Sequence, residues 1–226
     1  KPGDRVGALT VTGGYTEVLY WRADQLIPVP APIDPARAVP LILNYIVAYQ
    51  TMHRKALVQA GDTVLIIGAS GGIGTALLQL GRLAGLRMYA VASKGKHALL
   101  TEYGATPIDY RSQDFGEIIR DAEPNGLDAV LDGMMRLESM RTALSLLQRG
   151  GRMVSYGEPA GRRELFRILG LTLRTSLPGS GKSLSLYGTS SYFLFNRKPY
   201  LEDWATLFRL LVDGRISPVI AARFPI

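Results

Sequence analysis

The run Asp62-Thr-Val-Leu-Ile-Ile-Gly-Ala-Ser-Gly-Gly-Ile-Gly74 constrains this chain more than any other stretch. Val64 to Ile67 is a short, unbroken apolar segment rich in β-branched side chains, the composition of a parallel strand covered on both faces. Gly68, Gly71, Gly72 and Gly74 then let the backbone turn tightly, approach a ligand closely and pack the next helix against the strand. From Ile73 to Ala84, the residues Ala76, Leu77, Leu80, Leu83 and Ala84 form one helical stripe, and Met88 to Ala92 supplies a second strand. The free N–H groups and positive dipole end of a helix that begins this way suit an anionic diphosphate. The spacing is G-x-x-G-x-x-G rather than G-x-G-x-x-G, and a tight turn without a ligand also satisfies it. The complete strand-helix-strand unit around the turn favours nucleotide binding. No Lys-Ser or Lys-Thr pair follows the last glycine, which excludes a Walker phosphate loop.

The end of the second strand discriminates between coenzymes. A site for unphosphorylated NAD usually carries Asp or Glu about 20 residues beyond the glycines, accepting hydrogen bonds from the ribose hydroxyls. Here the strand runs into Ala92-Ser93-Lys94-Gly95-Lys96, with no carboxylate before Glu102. Ser93, Lys94 and Lys96 would attract a 2′-phosphate through hydrogen bonds and charge, so the expected coenzyme is NADPH. A merely solvated basic turn is the blander account of the same residues.

Composition narrows the remaining classes. The chain is long enough at 226 residues to bury a sizeable core, and no apolar run approaches the roughly 18 residues of a membrane-spanning helix. Cysteine is absent, so disulfides and thiolate zinc ligands are excluded within these residues, and a cytoplasmic location is expected. His53 lacks second-ligand spacing, and no metal site is expected. The formal charge of +7 raises the question of nucleic acid. The arginines between Arg136 and Arg174 are scattered among apolar helical positions without interleaved aromatics, so neither a nucleic-acid nor a membrane partner is expected. The chain begins at Lys1 without methionine, which fits part of a longer polypeptide.

Residues 1 to 33 differ in texture from the rest of the chain. Gly14-Tyr-Thr-Glu-Val-Leu-Tyr20 alternates like a half-exposed strand, and Leu26-Ile-Pro-Val-Pro-Ala-Pro32 reads as a proline-stiffened connector. Asp34-Pro35 is a helix start, Pro40 a break or kink, and Asn44 begins an amphipathic helix running to about Val58. After the glycine turn the alternation continues. Ile108-Asp-Tyr110 ends a short third strand, Asp114 to Asp121 reads as a helix, Leu127 to Leu131 as a strand, Leu137 to Leu147 as a helix and Arg152 to Tyr156 as a strand. Gly161 to Gly188 looks irregular, with Pro178-Gly-Ser-Gly181 as a loop; Ser190 to Phe195 reads as a strand and Tyr200 to Val212 as a helix.

The ordered series Gly-Asp-Arg-Val, Gly-Gly-Tyr-Thr-Glu, Ile-Pro-Val-Pro, Asn-Tyr-Ile-Val-Ala-Tyr and Val-Leu-Ile-Ile-Gly-Ala-Ser-Gly-Gly-Ile-Gly resembles the medium-chain dehydrogenase/reductase superfamily. The likeness is greatest to its zinc-independent quinone-oxidoreductase branch. It continues through Ile108-Asp-Tyr-Arg111, Leu127-Asp-Ala-Val-Leu-Asp-Gly133 and Gly151-Arg-Met-Val-Ser-Tyr-Gly157, and so covers nearly the whole chain. The resemblance implies an α/β fold, a Rossmann-type doubly wound parallel sheet flanked by a β-rich segment of a truncated GroES-like catalytic domain. Residues 1–33 would end that catalytic domain, 34–218 would form the NADP-binding domain and 219–226 would begin the return crossing.

Carried over by position, the resemblance implies that Asn44 and Val47 lie near the nicotinamide, where relatives often have Thr in place of Val47. Ser70, Gly71, Gly72 and Ile73 match the pyrophosphate turn, Lys96 matches a lysine that holds the 2′-phosphate, and Tyr110 a tyrosine beside the adenosine end. Gly133, Tyr156 and Gly157 fall at strand ends that line the coenzyme, with Met134 where relatives have a second glycine. Phe193, Leu194 and Phe195 match a segment beside the nicotinamide and near a homodimer edge. Leu43 stands where zinc-dependent relatives carry a cysteine ligand.

The activity this implies is NADPH-dependent reduction of a small-molecule acceptor, a quinone or an α,β-unsaturated carbonyl, with no general acid assigned; Tyr45 and Tyr49 are within reach of that role, but a packed aromatic is the simpler one for each. The alternative is an NADPH-binding regulatory or interaction protein of the same fold without turnover. The glycine turn is also similar to that of short-chain dehydrogenases, but no tyrosine has a lysine four residues on, as their Tyr-x-x-x-Lys requires.

Overall fold

A computed structural model describes residues 1–223 apart from 11, 176, 178, 190–192, 194 and 195. The chain divides into two compact units, one of residues 1–47 with 188–226 and one of residues 48–187.

In the second unit a six-stranded sheet is built from β3 (Thr63–Ile67), β4 (Arg87–Ala92), β5 (Thr106–Asp109), β6 (Leu127–Asp132), β7 (Leu147–Ser155) and β8 (Ser183–Leu186). The order is β5-β4-β3-β6-β7-β8, and every neighbouring pair is parallel. This is the doubly wound Rossmann order, which reverses direction between β3 and its neighbour β6 and opens a crevice at the carboxyl ends there. All five residues of β3, Thr63 and the apolar run Val64 to Ile67, are buried, as its central place requires.

The crossovers are helices α3 (Gly72–Leu83), α4 (His97–Glu102), α5 (Phe115–Ala122), α6 (Leu137–Leu146) and α7 (Arg162–Thr175). They cover a core that includes Leu65, Ile119, Val130, Met140, Met153, Ile168 and Leu184. Asp114 caps α5, its Oδ1 accepting the N–H groups of Gly116 and Glu117 at 2.6 and 3.2 Å. Asp114→Ala is expected to cost about 1 kcal/mol, read as a lower urea midpoint at unchanged denaturant slope.

Helix α7 and strand β8 replace the irregular segment expected between Gly161 and Gly188. Buried Ile168 anchors the helix, and Glu164 in its first turn accepts N–H groups from Leu137 and Ala160. Beyond it β8 pairs with β7, Leu184 beside Met153, and completes the sheet.

The first unit contains a two-stranded antiparallel ladder of β1 (Val6–Gly7) and β2 (Ile27–Pro28). The strand expected at Gly14–Tyr20 is absent: no strand among the described residues pairs with this segment, and Tyr15 and Tyr20 are almost wholly exposed. Asp34 caps helix α1 (Pro35–Pro40) through the N–H of Ala36. Pro40 ends that helix, and a π-helical turn, Leu41–Tyr45, follows it. The helical path continues through α2 (Ile46–Tyr49) and a second π-helical stretch, Gln50–Ala56, so the division between units falls inside it. Helix α8 (Lys198–Val212) buries Trp204, whose indole N–H donates to the Leu41 carbonyl at 3.1 Å.

Candidate functional site

The turn after β3 is shaped by two backbone demands. Gly68 has φ +83°, a conformation that side chains disfavour, and its carbonyl accepts the N–H of Gly71 at 3.2 Å. At Gly74 the demand is steric: a Cβ would stand 2.5 Å from the carbonyl carbon and oxygen of Ala69 and from the oxygen of Gly68. Helix α3 therefore lies against the end of β3 as only a glycine allows. Its first internal hydrogen bond runs from the Thr75 N–H to the Gly71 carbonyl at 2.8 Å, and no side chain caps its amino end. The N–H groups of Gly72, Ile73 and Gly74 thus have no helical acceptor, and the dipole end meets no side-chain anion. That arrangement fits a diphosphate.

The crevice wall beside the turn is formed by the ends of β6 and β7. Gly133 donates its N–H to the Ile67 carbonyl at 3.0 Å, and Tyr156 donates its N–H to the Asp132 carbonyl at 2.9 Å, so the three strand ends are tied together. A Cβ on Gly133 would lie 3.0 Å from the Tyr156 ring and hydroxyl, and one on Gly157 would lie 2.5 Å from the Gly133 oxygen. These glycines fit close packing between β6 and β7. The Tyr156 hydroxyl is buried and has no hydrogen-bond partner. Burial pushes its pKa far up, and the Asp132 carboxylate adds to the effect. A phenol held so firmly neutral is a donor awaiting an acceptor, which a polar ligand group in the crevice would supply.

Asp132 itself is fully buried. Its carboxylate accepts the Ser155 hydroxyl at 2.7 Å and the N–H groups of Met134 and Met135 at 2.9 and 3.2 Å. Those bonds hold the departure from the family pattern in place: Met135 has φ +50°, and the Met134 sulfur lies 3.5 Å from where a Cβ on Gly68 would stand. Met134 therefore overlies the glycine turn.

Desolvation raises the Asp132 pKa above its ordinary 3.8, against the pull of its hydrogen bonds. The folded state then binds this proton more tightly than the unfolded chain does. The Asp132 contribution to stability is accordingly fullest below about pH 4 and declines as pH rises through the raised value. Asp132→Asn is expected to flatten that decline, measured as denaturant midpoints across the acidic range.

At the other end of the crevice, the turn Lys94–Lys96 follows β4 as a short 3₁₀ helix and is exposed throughout. Tyr110 directly follows β5 and is 56% exposed, with the Arg111 guanidinium carbon 5.7 Å from its ring centre. Asp109, at the last position of β5, is buried beside them.

Of the residues expected from the sequence, Ser70, Gly71, Gly72, Ile73, Ser93, Lys96, Tyr110, Gly133, Tyr156 and Gly157 come together at the carboxyl edge of one sheet. Asn44, Val47 and Phe193 belong to the first unit. Val47 is buried, and the Phe193 ring packs edge-on against Tyr200 and Trp204 at 5.4 and 5.6 Å. Leu194 and Phe195 lie outside the described residues. Asp109 and Met134 are the positions that sequence reasoning left without a role in the site, although Asp109 stands inside the Ile-Asp-Tyr-Arg motif and Met134 was visible as a missing glycine.

Residues 72–211 match the family described as zinc-binding dehydrogenase. The chain is 34% identical over 159 residues to the human synaptic vesicle membrane protein VAT-1 homolog, a match covering 70% of this chain and 40% of that protein. It is 28% identical over 238 residues to the quinone oxidoreductase of Mus musculus, covering 100% of this chain and 66% of the relative. Among solved structures, a probable oxidoreductase from Mycobacterium abscessus superposes with a TM-score of 0.79 at 28% identity, over 100% of this chain and 66% of that one. The chain thus spans well under the full length of the relatives it matches.

Proposed function

The chain belongs to the medium-chain dehydrogenase/reductase superfamily, and from that membership we propose that it is the coenzyme-binding part of an NADPH-dependent reductase of quinones or α,β-unsaturated carbonyls. The observation that carries the reading is the meeting of an uncapped helix terminus and a cationic turn at one sheet edge. The likeness to a protein named quinone oxidoreductase runs the whole length of this chain and supports the acceptor class.

In this reading Ser70 to Ile73 hold the diphosphate through backbone N–H groups, while Ser93, Lys94 and Lys96 hold the 2′-phosphate and Tyr110 flanks the adenosine. Gly133 and Gly157 keep the crevice wall close, and the Tyr156 hydroxyl donates to a polar atom of the bound coenzyme. Bound NADPH supplies a hydride to an electron-poor carbon of the acceptor. The protein's part is to orient both reactants and exclude water. Tyr156, kept neutral by burial, does not serve as a proton source, and the proton comes from solvent or from a residue beyond this chain.

As part of the same reading the chemistry needs no zinc, for Leu43 stands where zinc-dependent relatives carry a cysteine ligand. Residues 1–33 end a GroES-like catalytic domain, and the protein acts as a cytoplasmic homodimer on a small acceptor. The outer edge of β8, unpaired among the described strands, supports pairing with a second copy. No helix among the described residues is long and apolar enough to cross a membrane.

The 34% identical relative is named for a synaptic vesicle membrane and not for a reaction, which keeps a second reading alive: NADPH binding without turnover. Full-length protein given NADPH and a panel of quinones and enones separates the two. Coenzyme oxidation supports the reductase, tight binding without oxidation supports the silent protein, and a preference for NADH overturns the coenzyme assignment.

A further inference from the structure

This chain holds all its sulfur in six methionines, and their settings differ sharply. Met52, Met88, Met135, Met140 and Met153 are buried, none of them more than 5% exposed, whereas Met134 is 46% exposed. A thioether shut inside a packed core is kept from solution oxidants, and one open to solvent is not. Exposure alone would make Met134 an ordinary surface residue; its place makes it more.

Met134 stands two residues beyond the end of β6, at the crevice where that strand lies beside β3. Its N–H donates to Asp132 Oδ1 at 2.9 Å, and the next residue, Met135, is buried with φ +50°. So held, the side chain lies over Gly68: Met134 Sδ is 3.5 Å, and its Cγ 3.6 Å, from where a Cβ on that glycine would stand. Gly68 opens the same turn in which the N–H groups of Gly72 and Ile73 have no helical acceptor. The thioether is thus an apolar, polarisable cover beside a seat for phosphate.

We propose that Met134 is an oxidation site that gates the diphosphate seat, its thioether converted to the sulfoxide by hydroperoxides when the crevice is empty and shielded when coenzyme is bound. This rests on the NADPH reading above. In the step, a sulfur lone pair attacks one peroxide oxygen, the O–O bond breaks and an S–O bond forms. Sulfur gives up two electrons and the hydroperoxide takes them. The proton of the attacked oxygen passes to the leaving one, which departs as water or an alcohol. An apolar group becomes a strongly polar one, whose oxygen bears negative partial charge and repels the phosphate oxygens drawn to the turn. Methionine sulfoxide reductases return the thioether, so the gate resets.

The test treats full-length protein with hydrogen peroxide, with and without saturating NADP+, and maps the oxidised peptides by mass spectrometry. Titrations with NADP+ before and after treatment read the consequence. Met134 is expected to oxidise ahead of the five buried methionines and more slowly under NADP+. The oxidised protein is expected to bind NADP+ about tenfold more weakly, the scale of one opposed polar contact, and to regain affinity on treatment with methionine sulfoxide reductase. Met134→Leu, which keeps the bulk without the sulfur, is expected to show the same affinity before and after peroxide. That ratio is taken within each protein, so it does not depend on what the substitution does by itself. Oxidation of Met134 no faster than of the buried five, no protection by NADP+, unchanged affinity of the sulfoxide form, or an equal loss in the leucine variant each overturns the gate while the coenzyme reading stands. Untreated protein that does not bind NADP+ overturns the coenzyme reading and the gate with it, even where Met134 oxidises first.

Discussion

Replacing Gly74 with alanine is expected to lower the melting temperature and to abolish coenzyme binding together. The added Cβ would lie 2.5 Å from the carbonyl carbon and oxygen of Ala69 and from the oxygen of Gly68, all backbone atoms of the turn. No rotamer change relieves such a contact, so the amino end of α3 must move off β3. Overpacking of this kind costs roughly 1–3 kcal/mol, which for a chain of this size is a fall of roughly 2–12 °C. The same displacement moves the N–H groups of Gly72 and Ile73, and a misplacement near 1 Å can cost about 100-fold in a positioned interaction.

Gly71 provides the contrast. Its φ of −76° is open to any side chain, and a Cβ there would meet only the Gly68 oxygen, at an ordinary 3.5 Å. Gly71→Ala is therefore expected to keep the wild-type melting temperature and to lose coenzyme affinity, because the new methyl occupies the approach of the ligand. Thermal melts and NADPH titrations of the two variants check both statements. Equal behaviour of the two would sink the assignment of Gly74 to packing and Gly71 to the ligand.

The contrast between these two glycines also marks what the sequence could say. The spacing of Gly68, Gly71, Gly72 and Gly74 announced a strand-turn-helix unit, because Gly68 and Gly74 answer local demands of the backbone. The strands β3, β4 and β6 were legible for a similar reason, each carrying an apolar stretch closed by turn residues, whereas β7 was read only from Arg152 and begins at Leu147, because Gln148 to Gly151 break its pattern. Helix α7 was not, since Ile168 is its one fully buried residue and arginines and Gly170 interrupt the stripe. Its position is set by packing on the sheet, which periodicity does not record.

The alternation at Gly14–Tyr20 misled in the opposite direction. A period of two states what a strand would look like if a partner were present, and the described residues contain none. Asp109 was hidden by a different limit. The search for a ribose-binding acid followed the chain onward from β4, whereas Asp109 belongs to the next strand and is set beside the end of β4 by the pairing of Ala92 with Asp109. The wall formed by Gly133, Tyr156 and Gly157 was legible as strand ends, but the orphaned hydroxyl within it depends on how β6 and β7 pack.

Reversing both charges of the turn, Lys94→Glu with Lys96→Glu, is expected to exchange the coenzyme preference. The two lysines are exposed and follow the end of β4, and neither contributes to the core, so the fold and the glycine turn are left as they are. Each charge-assisted bond to a phosphate contributes about 1.5–3 kcal/mol, so the loss of two, with repulsion added, lowers NADPH affinity by about 100-fold or more. NADH lacks the 2′-phosphate and should change by less than about threefold. Because the reversed charges face solvent, the NADPH penalty should shrink as salt is added, with a screening length near 10 Å at 0.1 M, while NADH binding stays level. Titrations of both coenzymes at low and high ionic strength read this directly. If NADPH and NADH weaken together, the lysines act on something the two coenzymes share, and the turn does not read the 2′-phosphate. If neither changes, the turn is a solvated surface and the selectivity of the protein, whatever it is, resides elsewhere on the sheet edge.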